Sequence, residues 1–175
     1  MNKVLNVVSL AAFAAGAAFA QQSPPAQASV SVGGKAINIR YSAPSVRGRK
    51  IFGPGGVLSQ DATYPVWRAG ANDATAFHTD ADLEIGALKV PKGDYTLYCS
   101  VQDPENWELI FNKQTGQSGL EYSAGRDVGR VKMTLTKPAK LVEQMKFTLS
   151  DAGGGKVKLE LAWENHAGSV IATLK

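Results

Sequence analysis

Three cations and two hydroxyls stand within one short stretch of this chain, Tyr41-Ser42-Ala43-Pro44-Ser45-Val46-Arg47-Gly48-Arg49-Lys50-Ile51-Phe52-Gly53. Pro44 drives Ala43 away from helical angles, and Gly48 permits the backbone to reverse between Arg47 and Arg49. Such a reversal can aim two guanidinium groups at one point, where each grips a carboxylate or phosphate through paired N–H donors. Ser42 and Ser45 add hydroxyls, and Trp67 beside Arg68 offers an aromatic face for stacking. The chemistry that suits this set is recognition of a small anion or an acidic sugar. The candidate ligand-binding residues are Ser42, Ser45, Arg47, Arg49, Lys50, Trp67, Arg68, Asn72 and His78. The same residue types also serve a structural purpose. Arginines in long loops bond backbone carbonyls, and Trp67 with Ile51 and Phe52 can plug one end of a folded sheet pair.

A hydrolase is the competing chemistry. Ser42 or Ser45 with His78 and Asp73 or Asp80 supplies the residue types of a triad, since a serine nucleophile needs a base and the base an orienting acid. The chain has no Gly-x-Ser-x-Gly elbow to present such a serine, so no catalytic residue is assigned. No metal site is expected: His78 and His166 are far apart, and Asp80 with Asp82 falls short of the six or more oxygens calcium takes. No cofactor is expected either, because no glycine-rich loop continues as Gly-Lys-Ser/Thr into a helix. A third possibility is a structural or protein-docking component of the cell envelope, with Ser169–Leu174 as an edge or closing strand.

Charge is unevenly placed. Residues 21–68 carry six Lys or Arg against the single acid Asp61, whereas 69–175 carry twelve bases and fourteen acids. A local positive field favours anionic ligands. It is too small, and too poor in interleaved aromatics, to point to nucleic acid. The first twenty residues combine Lys3, an apolar run from Val4 to Phe13 and a final Ala18-Phe19-Ala20, the order of a cleavable secretory signal. That run is shorter than the ~20 apolar residues of a spanning helix. The expectation is an exported protein, periplasmic or secreted, with no membrane span after cleavage. Its lone cysteine, Cys99, falls on the core-facing side of a strand pattern.

The elements that must position these residues are read from periodicity. Residues 21–28, rich in Pro and Gln, read as a flexible leader, with a single domain over 29–175. Val30 and Val32, then Ile37, Ile39 and Tyr41, alternate on either side of Gly33-Gly34, which predicts a hairpin. Alternation returns at 107–111, 131–135, 145–149 and 157–163, with turn chemistry between the runs. This is the pattern of an all-β antiparallel sandwich, jelly-roll-like or similar. Leu141, Val142 and Met145 have near-helical spacing, so at most one short helix is expected. Pro44 to Pro65 is a long loop between strands.

The loop motif Tyr41-Ser42-x-Pro44-Ser45-x-Arg47-Gly48-Arg49-x-Ile51-Phe52-Gly53 is followed by Val66-Trp67-Arg68-x-Gly70-Ala71-Asn72-x-Ala74-Thr75. Further on come Leu88-x-x-Pro91-x-Gly93-x-Tyr95, Trp107-x-x-Ile110-Phe111-Asn112-Lys113 and Leu159-x-Leu161-x-Trp163-Glu164. In this order the segments resemble an exported bacterial family known only as domain of unknown function 2911. The chain departs from that pattern between Gly53 and Pro65. The resemblance implies a secreted β-rich domain and assigns it no activity.

Overall fold

The computed structural model describes residues 22–175. The expected signal segment, 1–20, lies outside the described residues. Thirteen strands follow in chain order. They are β1 (Pro25–Val32), β2 (Lys35–Ser42), β3 (Val66–Trp67), β4 (Thr75–Thr79), β5 (Leu83–Ile85), β6 (Leu88–Val90) and β7 (Gly93–Ser100), then β8 (Glu108–Asn112), β9 (Asp127–Lys132), β10 (Thr134–Thr136), β11 (Val142–Gly153), β12 (Lys156–Glu164) and β13 (His166–Leu174). Two short 3-10 turns, Val57–Gln60 and Ala124–Arg126, are the only helical elements among the described residues.

The strands form two antiparallel sheets, β1-β2-β4-β7-β8-β9 with β3 beside β7, and β11-β12-β13-β5-β6 with β10 beside β13. The sheets face each other across one core, so the all-β sandwich expected from alternation is the architecture found. Ile37, Ile39, Phe77, Leu97, Cys99 and Leu109 point inward from the first sheet, and Met145, Phe147, Leu159, Leu161 and Trp163 meet them from the second. The hairpin between β1 and β2 turns at Gly33-Gly34, both with positive φ (58° and 76°), as a two-residue turn of this hand requires.

The structure corrects the sequence reading at two places. Residues 21–28 are not wholly a leader, because β1 begins at Pro25 and pairs with β2 from Pro25↔Ser42 onward. Pro25 is tolerated as the first residue of an edge strand, and the small side chains of Ala26 and Ala28 pack against the core. The near-helical spacing of Leu141, Val142 and Met145 is not a helix. Leu141 is exposed, Met145 is buried in β11, and an irregularity in the β11–β12 register between Val142 and Lys146 accounts for the broken period. The C-terminal run is interior: β13 lies between β12 and β5.

Candidate functional site

The long loop after β2 is tied down through its cations. Arg49 donates from Nε to the Val46 carbonyl (3.1 Å) and from Nη2 to the Ser45 carbonyl (2.8 Å), which closes the turn on itself. That turn carries positive φ at Arg47 (50°) and Gly48 (68°). Lys50 Nζ donates to the Pro54 carbonyl (2.7 Å). The Arg47 backbone N–H donates to Glu143 Oε1 (2.9 Å), and Val46 N–H and Met145 N–H exchange bonds with the Glu143 and Pro44 carbonyls. The loop thereby extends the second sheet at the β11 edge. Ser45 lies in that bridge opposite Gln144, and Ser42 ends β2 with its carbonyl accepting from Ala71 N–H.

The expected convergence of loop cations with Arg68 and Trp67 on one hollow is not what forms. Arg68 Nη2 pairs with Asp61 Oδ2 at 3.0 Å, with both side chains largely buried, and its Nη1 reaches the Asn72 carbonyl. Trp67 is 2 % exposed. Its indole N–H donates to the Gly70 carbonyl (3.0 Å) and its ring stacks on Trp163 at 5.6 Å, so it presents no face to solvent. Phe52 fills the space between Trp67, Trp107, Trp163 and the ring of His166. Glu164 closes this end by accepting from Ile51 N–H at Oε1 (2.9 Å), while its Oε2 is 3.3 Å from His166 Nδ1. Asn72, with φ of 60°, is a turn residue whose amide reaches the Ser23 carbonyl. The segments that carry the family resemblance, 51–53, 66–72, Trp107 and 163–164, thus meet as an aromatic plug at one end of the sandwich.

His78 is placed elsewhere. It is on β4, on the outward face of the first sheet, with Asn38 opposite on β2 and Asp94 opposite on β7. Its Nδ1 is 2.8 Å from Asp94 Oδ1 and its Nε2 is 3.1 Å from Asp80 Oδ1. With a carboxylate at each ring nitrogen, both nitrogens have an acceptor when the ring is protonated, and the bonds to Asp94 and then Asp80 raise its pKa. Asp80 is held below the usual carboxylate range by the Ala36 N–H first and by His78 second. The two carboxylates flank opposite ends of the ring and cannot converge on one cation. Ser42 is four residues along β2 from the partner of His78, about 13 Å away at strand rise, so the serine and histidine are not brought together.

Around His78 the outward face is concave. One row across the strands runs Gln27–Arg40–Ala76–Thr96, and the next runs Ser29–Asn38–His78–Asp94. Beyond Thr96 the face is roofed by the segment 113–123. Gln117 donates to Thr96 Oγ1 and Tyr98 Oη, and Tyr122 packs on Tyr98 and Ile110. The edge of that roof, Thr115-Gly116, forms one wall of an open groove of about 640 Å³ floored by Gln27, Asn38, Arg40 and Ala76. Among the described residues the Arg40 guanidinium has no hydrogen-bond or ion-pair partner, and the amides of Gln27 and Asn38 have none either. Sequence reading missed Arg40, Asn38 and Gln27. The alternation that put Ile37 and Ile39 inward already put Asn38 and Arg40 outward, but which residues of other strands stand beside them depends on register.

No curated protein and no solved structure matches the chain. A family model described as a protein of unknown function, DUF2911, matches residues 23–171. That span takes in both sheets, the aromatic plug and the groove, and the chain belongs to this family.

Proposed function

We propose that this is an exported, non-enzymatic binding protein whose ligand is a small anionic or carbohydrate-like molecule, held in the groove around Arg40 rather than by the loop after β2. The observation that carries the reading is the unpaired, exposed guanidinium of Arg40, set among the open amides of Gln27 and Asn38 and the Thr115 hydroxyl. A guanidinium with free donors takes a carboxylate through two parallel bonds, and flanking amides and hydroxyls suit sugar hydroxyls. In the loop, by contrast, Arg49, Lys50 and Arg68 already satisfy oxygens of the protein itself. Export is supported by the order of charge, apolar run and small residues in 1–20.

Isothermal titration with galacturonate, galactose and acetate tests the reading. Binding of galacturonate above both others, lost in Arg40→Ala and kept in Arg49→Ala, is the expected result. Equal heats for Arg40→Ala and the unaltered protein would overturn it.

A further inference from the structure

The groove does not end at His78. A second hollow of about 390 Å³, lined by Gly34, Lys35, Thr79, Asp80, Lys92 and Gly93, shares His78 with the first. The two follow one another along β2 and β4, from Arg40 to Lys35. At strand rise those five residues set the backbone positions of Arg40 and Lys35 roughly 17 Å apart, and Lys35, on the opposite pleat from Arg40, stands at the hairpin rim, where it also borders a hollow with Val32 and Leu174. Among the described residues the ammonium groups of Lys35 and Lys92 make no hydrogen bond or close ion pair, Lys35 acting on Asp80 only through its field. A cation therefore stands at each end, with the Asp94–His78–Asp80 unit, two carboxylates on one imidazole ring and net negative, between them.

Resting on the reading above, we infer that this continuous groove binds an acidic oligosaccharide lengthwise, with one carboxylate on Arg40 and a more distant one between Lys35 and Lys92. Three observations select that class. The groove runs along β2 and β4, each bonded on both sides, β2 by β1 and β4, and β4 by β2 and β7, with only Gln27 coming from the edge strand β1, so its floor offers no open backbone ladder to an extended peptide. Its aromatic wall residues, Phe77 and Tyr95, are 2 % and 6 % exposed, so it offers no stacking platform for the bases of a single strand or for a neutral sugar ring. The middle of the groove presents carboxylates, which disfavour a polymer charged at every short step such as a nucleic acid backbone. An acidic sugar chain in which uronates alternate with neutral residues instead spaces its carboxylates and offers hydroxyls to Asn38, Gln27, Thr115 and Asp94.

The test is calorimetry at low salt with a disaccharide and a hexasaccharide in which a uronate alternates with a neutral N-acetylated sugar, and with a glutamate hexapeptide, using the unaltered chain, Arg40→Ala and the double variant Lys35→Ala/Lys92→Ala. The expected result is a gain of about tenfold in affinity from the short to the long sugar, corresponding to one further ionic contact. The double variant should lose that gain while binding the short sugar unchanged, and Arg40→Ala should weaken both. A length gain that survives the double variant is only statistical and overturns the inference. So does a glutamate peptide that binds as tightly as the long sugar. Absence of any length effect, with the short sugar still dependent on Arg40, overturns the extended groove and leaves the smaller site standing. Loss of all binding overturns both.

Discussion

Arg40 and Arg68 show how the same side chain is used in opposite ways. Arg68 is buried against Asp61, so truncation leaves a carboxylate that is nearly dry without its partner. Arg68→Ala should cost about 1–3 kcal/mol in denaturant unfolding. Arg40→Ala removes an exposed, unpaired group and should shift stability by less than about 0.5 kcal/mol while abolishing ligand binding. His78 adds a pH signature. Its folded pKa is raised, chiefly by Asp94, above the ordinary value of 6.5. Its stabilising contribution is therefore complete below that value and fades as pH rises through the higher folded one. Following the His78 ring by NMR should show the raised titration, and Asp94→Asn should lower it. An unchanged midpoint in that variant would contradict the assignment. Cys99 is fully buried, and burial pushes its thiol pKa far up, so it should resist thiol reagents until the protein unfolds.

Among the elements, the loop between β2 and β3 and the β12–β13 hairpin stabilise one another. The hairpin turns on Glu164-Asn165, and Glu164 holds φ of 56°, a conformation that glycine adopts without strain. What keeps a glutamate there is its carboxylate, which accepts the Ile51 N–H. Glu164→Ala should destabilise by about 1–2 kcal/mol, whereas Glu164→Gln, which preserves an acceptor oxygen, should recover most of that loss. Gly56 sets the shape of the same loop. A Cβ there would overlap the backbone carbonyls of Ile51 and Phe52, atoms that cannot swing aside. Gly56→Ala should lower the melting temperature by several degrees with the ligand groove intact, because the groove lies on the outer face of the other sheet. Elements of this kind were only partly legible in the sequence. Gly33-Gly34 announced its turn, and strict alternation announced β8, β12 and the inward position of Cys99. The start of β1 was hidden because Pro25, Gln27 and small alanines carry little hydrophobic contrast.

For the whole molecule, the sandwich was legible because its rule is local: a strand with one dry face must alternate. The groove was not, because it is assembled from single residues of different strands, and their meeting depends on pairing partners far apart in the chain. The basic loop was the more visible cluster for the opposite reason, since its cations are neighbours in sequence, yet Arg49 and Lys50 are spent on the loop's own carbonyls. Position in the chain and position in space thus separate the two candidate surfaces. Backbone amide chemical-shift mapping with galacturonate tests that separation most directly. The account predicts shifts at Asn38, Arg40, His78 and Thr115 that saturate together, with residues 45–50 unmoved. Saturating shifts confined to 45–50, with the outer face silent, would contradict it.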